Sequence, residues 1–235
     1  MTGTAPTAPG LALPGRGRWL LERRWDALTR PLPTRTLRVS AAAPADRPFD
    51  FSAAMSDLCD DIAGRCPELG HVDVGRLLVS FTTSRNRSRY GLQARVTPMR
   101  FRDGALTRRY RGHLYGVQRY YVGGREMLYL VTFCLPRFLD QSFEEKLVTV
   151  FHELFHPSPA FDGDLRRHPG RCEVHSHSKR EYDRRMLGLV RPYLDGHPRP
   201  EVFDFLRPRA VELCRRHGGI TGVVVPRPRL VPLSV

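Results

Sequence analysis

Apolar positions at Phe51, Ala54, Met55, Leu58, Ile62 and Cys66 recur every three or four residues and predict a helix over 51–66, which Pro67 stops. The pattern then changes. The run 77–82 is apolar and β-branched, and 92–101 alternates apolar with polar, so both predict strands, joined by the polar connection 84–91. Two further β-prone runs, 117–122 and 127–134, flank Gly123-Gly124 and predict a hairpin. Helical spacing returns over 142–156. Ser142 there is a suitable N-cap, with Glu145 three residues later as in a capping box, and Pro157 and Pro159 end the segment.

The rest of the chain is read more coarsely. Residues 17–29 predict a short helix, 31–48 a Pro- and Ala-rich linker, and 1–16 a leader rich in Thr, Ala, Pro and Gly without the basic-then-apolar layout of a secretory signal. After a loop over 157–177, helices are expected over 179–194, capped by Ser178, and over 201–217, ending at Gly218-Gly219. Residues 220–235 look like an extended tail or edge strand. The organisation expected is therefore a leader, short helix and linker over 1–48 and one α+β domain over 49–235.

Composition narrows the setting. The 235 residues are 41% hydrophobic, enough for a real core, and no run approaches the ~20 apolar residues needed to cross a bilayer. Five scattered cysteines, Cys59, Cys66, Cys134, Cys172 and Cys214, include no C-x-x-C pair, which points to reduced thiols in a cytoplasmic protein. The net charge is +14, a balance that suits contact with nucleic acid or another polyanion. Only Lys146 and Lys179 are lysines, so the charge is almost all arginine, a preference that a GC-rich coding sequence would also produce. The densest cluster comprises Arg85, Arg87, Arg89 with Tyr90, and Arg100, Arg102, Arg108, Arg109 and Arg111. Its plain reading is a solvated face, with a polyanion surface as the alternative.

The chemistry concentrates at His152-Glu153-Leu154-Phe155-His156. Two imidazoles four apart on a helix share one face and can grip one cation, while Glu153, beside the first of them, can serve as general base and acid. Five of the nine histidines (His152, His156, His168, His175 and His177) lie within this stretch and the loop after it. A catalytic zinc takes three protein ligands and keeps one position open. The expected set is His152, His156 and His175, with His168 and then His177 as alternatives and Glu173 and Asp164 as carboxylate outsiders. His71, His113, His197 and His217 read as surface or capping residues. Arg166, Arg167 and Arg171 are expected to pair with Asp162, Asp164 and Glu173 and so order the loop, and Tyr182 is a packing residue with an oxyanion donor as its alternative role.

The run 152–171, together with 91–101, 127–133 and 174–183, resembles uncharacterised bacterial and phage families described as metallopeptidases. The similarity spans roughly residues 50 to 230. It implies a zincin-like core, in which a small mixed sheet packs against the metal helix and a further helix follows near the third ligand. A more distant analogy is to SprT-like proteases, which act beside DNA; the chain lacks the C-x-x-C pairs of a zinc ribbon, so that analogy is partial. The expected function is zinc-dependent hydrolysis of a protein or peptide substrate, with no membrane partner. The alternatives are deformylation of small formyl-amides, and a nucleic-acid-associated protease or binding module with a structural metal.

Overall fold

The computed structural model describes residues 21–38, 47–84, 91–167 and 179–233, the side chains of 179–183 excepted. In chain order these residues form β1 (Glu22–Trp25), β2 (Thr34–Leu37), β3 (Phe49–Asp50), α1 (Phe51–Arg65), β4 (Leu77–Thr83) and β5 (Ala94–Pro98). There follow β6 (Thr107–Tyr110), β7 (His113–Val117), β8 (Arg119–Val122), β9 (Arg125–Met127) and β10 (Tyr129–Leu135). The remainder is α2 (Phe143–Phe155), α3 (Lys179–Asp195), α4 (Pro200–Phe203), α5 (Ala210–His217), β11 (Ile220–Val223) and β12 (Leu230–Pro232). The fold is α+β, with small sheets and several helices.

The strands form four three-stranded sheets, ordered β1-β8-β9, β4-β10-β5, β2-β11-β3 and β12-β7-β6. The β4-β10-β5 sheet is mixed: β10 runs parallel to β4 and antiparallel to β5, which is left as an edge. Side chains alternate across it. Val79, Phe81, Val96, Val131 and Phe133 join the main core with Met55, Leu58 and Ile62 of α1 and Leu147, Val150 and Phe151 of α2. Leu78 and Leu130 face the other way, into a smaller cluster with Trp25, Met99, Tyr120, Met127 and Val225.

Both long helices begin where local chemistry directs. The Asp50 carboxylate accepts from Ala53 N at 3.0 Å and caps α1, and Ser142 and Glu145 form the full reciprocal capping box of α2. Five expectations are corrected. Residues 22–25, expected in a helix, form β1, because Trp25 packs edge-on against Tyr120 at 5.0 Å and the strand pairs in parallel with β8. The turn that follows closes through Arg30 N to Asp26 O at 2.9 Å. The segment 31–48, expected as linker, contributes β2, which pairs with β11. The Gly123-Gly124 turn, both residues at positive φ, does make a hairpin, but its second strand is only β9. At Leu128 the chain changes sheets, with Leu128 N donating to Arg76 O and Leu128 O accepting from Met99 N, so 129–135 belongs with β4 and β5. The helix expected over 201–217 breaks into α4, a 3-10 turn over Asp204–Leu206, and α5, since Pro208 has no N–H to continue it. Within the expected tail, β11 is an inner strand and β12 an outer one.

Candidate metal and proton-transfer site

The last turns of α2 carry the site. Their backbone is fixed at both ends: the capping box starts the helix, and the chain after Pro157 folds back so that Arg166 N donates to His156 O at 2.6 Å. The Arg166 guanidinium donates to Phe155 O at 3.0 Å and lies over the Phe155 ring at 4.0 Å. A cation there also complements the negative helix terminus. Its Nη2 is 3.3 Å from His71 Nε2. His71, expected as a surface or capping residue, is thus part of the clamp. Burial, and then the Arg166 charge, push its pKa below the ordinary imidazole value.

His152 and His156 lie side by side, one turn apart, with ring centroids 4.6 Å apart and planes at 76°. His156 is buried and His152 half-buried. Glu153 is 6% exposed. Burial raises its pKa from 4.5 to about 8, against the opposing pull of a hydrogen bond from the Val96 main chain and the charge of Arg95. The other carboxylate oxygen, Oε2, is buried with no hydrogen-bond partner. A buried orphan of this kind calls for a physical reason, and an ionisable group at functional poise is one. Among the described residues β10 is the only strand beside β5 in its sheet, and the Val96 contact holds Glu153 against β5 from the other side.

This donor set suits a divalent cation of zinc's character. Imidazole nitrogen is a favoured zinc donor. Among the described residues, no group of three or more His, Cys, Asp and Glu side chains could hold a metal ion. The third-ligand candidates His168, His175 and His177, with Arg171 and Glu173, lie outside the described residues. Tyr182 lies on α3, and its side chain is among those not described.

Of the pairing expected in the loop that leads toward those candidates, Arg167 with Asp164 forms, while Arg166 engages Phe155 O and His71 instead. The Arg167 guanidinium contacts the buried Asp164 carboxylate at 3.1 Å. Asp164 also accepts from Asp103 N at 3.1 Å, so it is engaged structurally and is no outsider ligand. Ser158 Oγ donates to Asp162 Oδ1 at 2.5 Å. Beneath the loop, the Tyr129 hydroxyl donates to Asp164 O at 2.7 Å and accepts from Gly163 N at 3.0 Å. Lys146, on another face of α2, is wholly buried and donates to Leu206 O and Pro208 O, each at 2.8 Å. It ties the broken 204–209 segment to the helix that carries the histidines. In the sequence Lys146 is marked only as one of two lysines, and nothing in its immediate neighbourhood signals its burial.

Comparison of the chain with protein-family models, curated proteins and solved structures finds no match.

Proposed function

We propose that this chain is a zinc-dependent metallohydrolase, most simply a peptidase. One observation carries the reading. Two imidazoles one helical turn apart stand next in the chain to a buried carboxyl group whose second oxygen is unpartnered among the described residues. His152, His156 and a residue of the following loop, His175 first, would hold the ion. When bound, zinc supplies a Lewis acid that polarises a carbonyl and makes water a stronger acid.

The protein's own residues have separate tasks. Glu153 takes a proton from the attacking water and returns it to the leaving amine; burial raises its pKa in the metal-free protein, and a bound cation would draw it back toward the carboxylate that the first of these steps needs. Val96 N–H holds that carboxyl group by one oxygen and leaves Oε2 for the transfer. Beyond Val96, whose N–H Glu153 occupies, the outer side of β5 would offer its main chain to an extended peptide as an added strand, the arrangement that favours a peptide over a small formyl-amide. A cytoplasmic setting is the companion proposal. It rests on Cys59, Cys66, Cys134 and Cys214, which are buried and form no disulfide with one another. No helix among the described residues is long and apolar enough to cross a membrane.

The test is zinc content after purification, with cleavage of casein and of a formyl-peptide, for wild type, His152→Ala, His175→Ala and Glu153→Gln. His152→Ala and His175→Ala should lose the metal, and Glu153→Gln should keep it while losing cleavage. Retention of zinc in His175→Ala moves the third ligand to His168 or His177. A wild-type protein that takes up no zinc, or a Glu153→Gln variant that cleaves normally, ends the enzyme reading.

A further inference from the structure

The arginine cluster divides once its members are placed. Arg100 is neutralised by Glu126 at 2.6 Å, as the loop residue Arg167 outside the cluster is by Asp164, while residues 85–90 lie outside the described residues. What remains is concentrated on one sheet, β12-β7-β6. Its strands lie in two segments, 104–118 and 218–235, that contain no Asp or Glu at all. At the chain's average of 24 acidic residues in 235, segments of that size would hold about three. A GC-rich coding sequence explains arginine in place of lysine; it does not explain the absence of carboxylates.

Register then sorts the side chains. Arg108 stands opposite Tyr115, and Tyr110 opposite His113. Residues paired across two strands share a face, and alternate residues along each strand do too, so Arg108, Tyr110, His113 and Tyr115 lie together on one face. On the opposite face Gly116 is buried and an added Cβ there would meet the Leu21 and Leu233 side chains, so that face packs inward at this end, while Arg109 at its other end is exposed. On the basic-aromatic face Arg108, Tyr110 and His113 are exposed and Tyr115 is half-buried. Tyr110 is 54% exposed, and the Arg111 guanidinium sits over its ring at 5.3 Å. Among the described residues no carboxylate pairs with Arg108 or Arg111. Arg102 meets only Asp103, loosely, at 3.8 Å. Arg102 and Arg108 also line a cleft of about 540 Å³ that reaches Leu165, in the loop after α2.

We propose that the face formed by Arg108, Tyr110, His113 and Tyr115, flanked by Arg102 and Arg111, docks single-stranded nucleic acid without sequence preference. Guanidinium groups engage successive phosphates, and exposed aromatic rings stack unpaired bases, a pairing of features that a buried duplex base cannot use. An acidic protein would satisfy the arginines but would leave the tyrosine and histidine rings without a role. The surface needs no metal, so the inference stands apart from the hydrolase reading.

The experiment is fluorescence anisotropy of a labelled oligothymidylate titrated with the full chain in EDTA, from about 50 to 200 mM salt. Wild type should bind with an affinity that falls linearly on a log–log salt plot. The combined variant Arg102→Gln/Arg108→Gln/Arg111→Asn should lower the slope by about 2, close to 0.7 for each lost single-strand phosphate contact. The matching triple Lys variant should keep most of the slope, which separates lost charge from lost folding. Tyr110→Ala should weaken binding roughly 5- to 100-fold with the slope unchanged. No binding by wild type at the lowest salt, or an unchanged slope in the Gln/Asn variant, overturns the proposal. Competition by polyglutamate as effective as by unlabelled oligonucleotide also overturns it and reassigns the face to acidic proteins. Equal binding of a duplex, with no effect of Tyr110→Ala, overturns the single-strand assignment.

Discussion

Replacing Glu153 with Gln should make the metal-free protein more stable while removing its proposed activity. The unfolded chain ionises Glu153 at its ordinary value, 4.5, whereas the folded protein holds the proton up to about 8 because burial penalises the charge. At pH 7 the unfolded state has therefore released a proton that the native state still binds. The native state binds more protons throughout this window, so stability falls as pH rises from about 4.5 to about 8 and levels off beyond. At 1.36 kcal/mol per pH unit, the loss accumulated by pH 7 is about 3 kcal/mol. Gln escapes this loss and can still accept from Val96 N–H, but its amide nitrogen takes the unpartnered position of Oε2, a cost of about 1–3 kcal/mol. The net gain at pH 7 is then about 0–2 kcal/mol, so the slope discriminates better than the midpoint. Urea unfolding of both proteins in EDTA at several pH values should give curves that diverge by about 1.4 kcal/mol per unit between pH 5 and 8 and run parallel outside that range. Zinc should flatten the wild-type slope, since a nearby cation favours the carboxylate. Parallel curves across pH 5 to 8 in EDTA would refute the buried-carboxyl reasoning, and a slope indifferent to zinc would detach Glu153 from the metal.

Lys146→Met should destabilise the fold by about 2–4 kcal/mol, because two buried carbonyls lose their donor; urea titration measures it. The pH signature has the opposite sign to that of Glu153. Burial lowers the amine from 10.5 to about 8, so between those values the unfolded chain binds the extra proton, and wild-type stability should rise with pH there while the Met variant stays flat. Gly163→Ala forces a side chain onto a residue at φ +93 and puts its Cβ 2.4 Å from Arg100 Cγ. A thermal shift equivalent to about 1–3 kcal/mol is expected, together with weaker zinc uptake, although no ligand is touched; wild-type zinc affinity in this variant would show that the loop does not support the site.

The parts of this structure legible in the sequence are those whose causes are local. The capping box of α2, the periodicity of α1 and the Gly-Gly turn each depend on residues within a few positions of one another, and each forms as read. The His152–His156 pairing is of the same kind, because a four-residue interval on a helix needs no outside partner to bring two rings together. The misreadings share the opposite property. From Arg125 to Leu135 the sequence is one β-prone run, and nothing inside it marks Leu128 as the place where hydrogen bonds pass from β8 to β4 and β5. Trp25 becomes a strand residue because Tyr120 and β8 receive it. The same division runs through the site. The identity of Glu153 was legible; its poise was not, because the burial and the Val96 N–H that set it come from β5, remote in the chain. Lys146 and His71, which fix the two ends of the site helix's surroundings, look unremarkable for the same reason: their partners, Leu206 and Pro208 in one case and Arg166 in the other, are supplied by tertiary structure. A motif of this sort states which groups can meet, and the strand and loop packed against it decide the protonation state in which they meet.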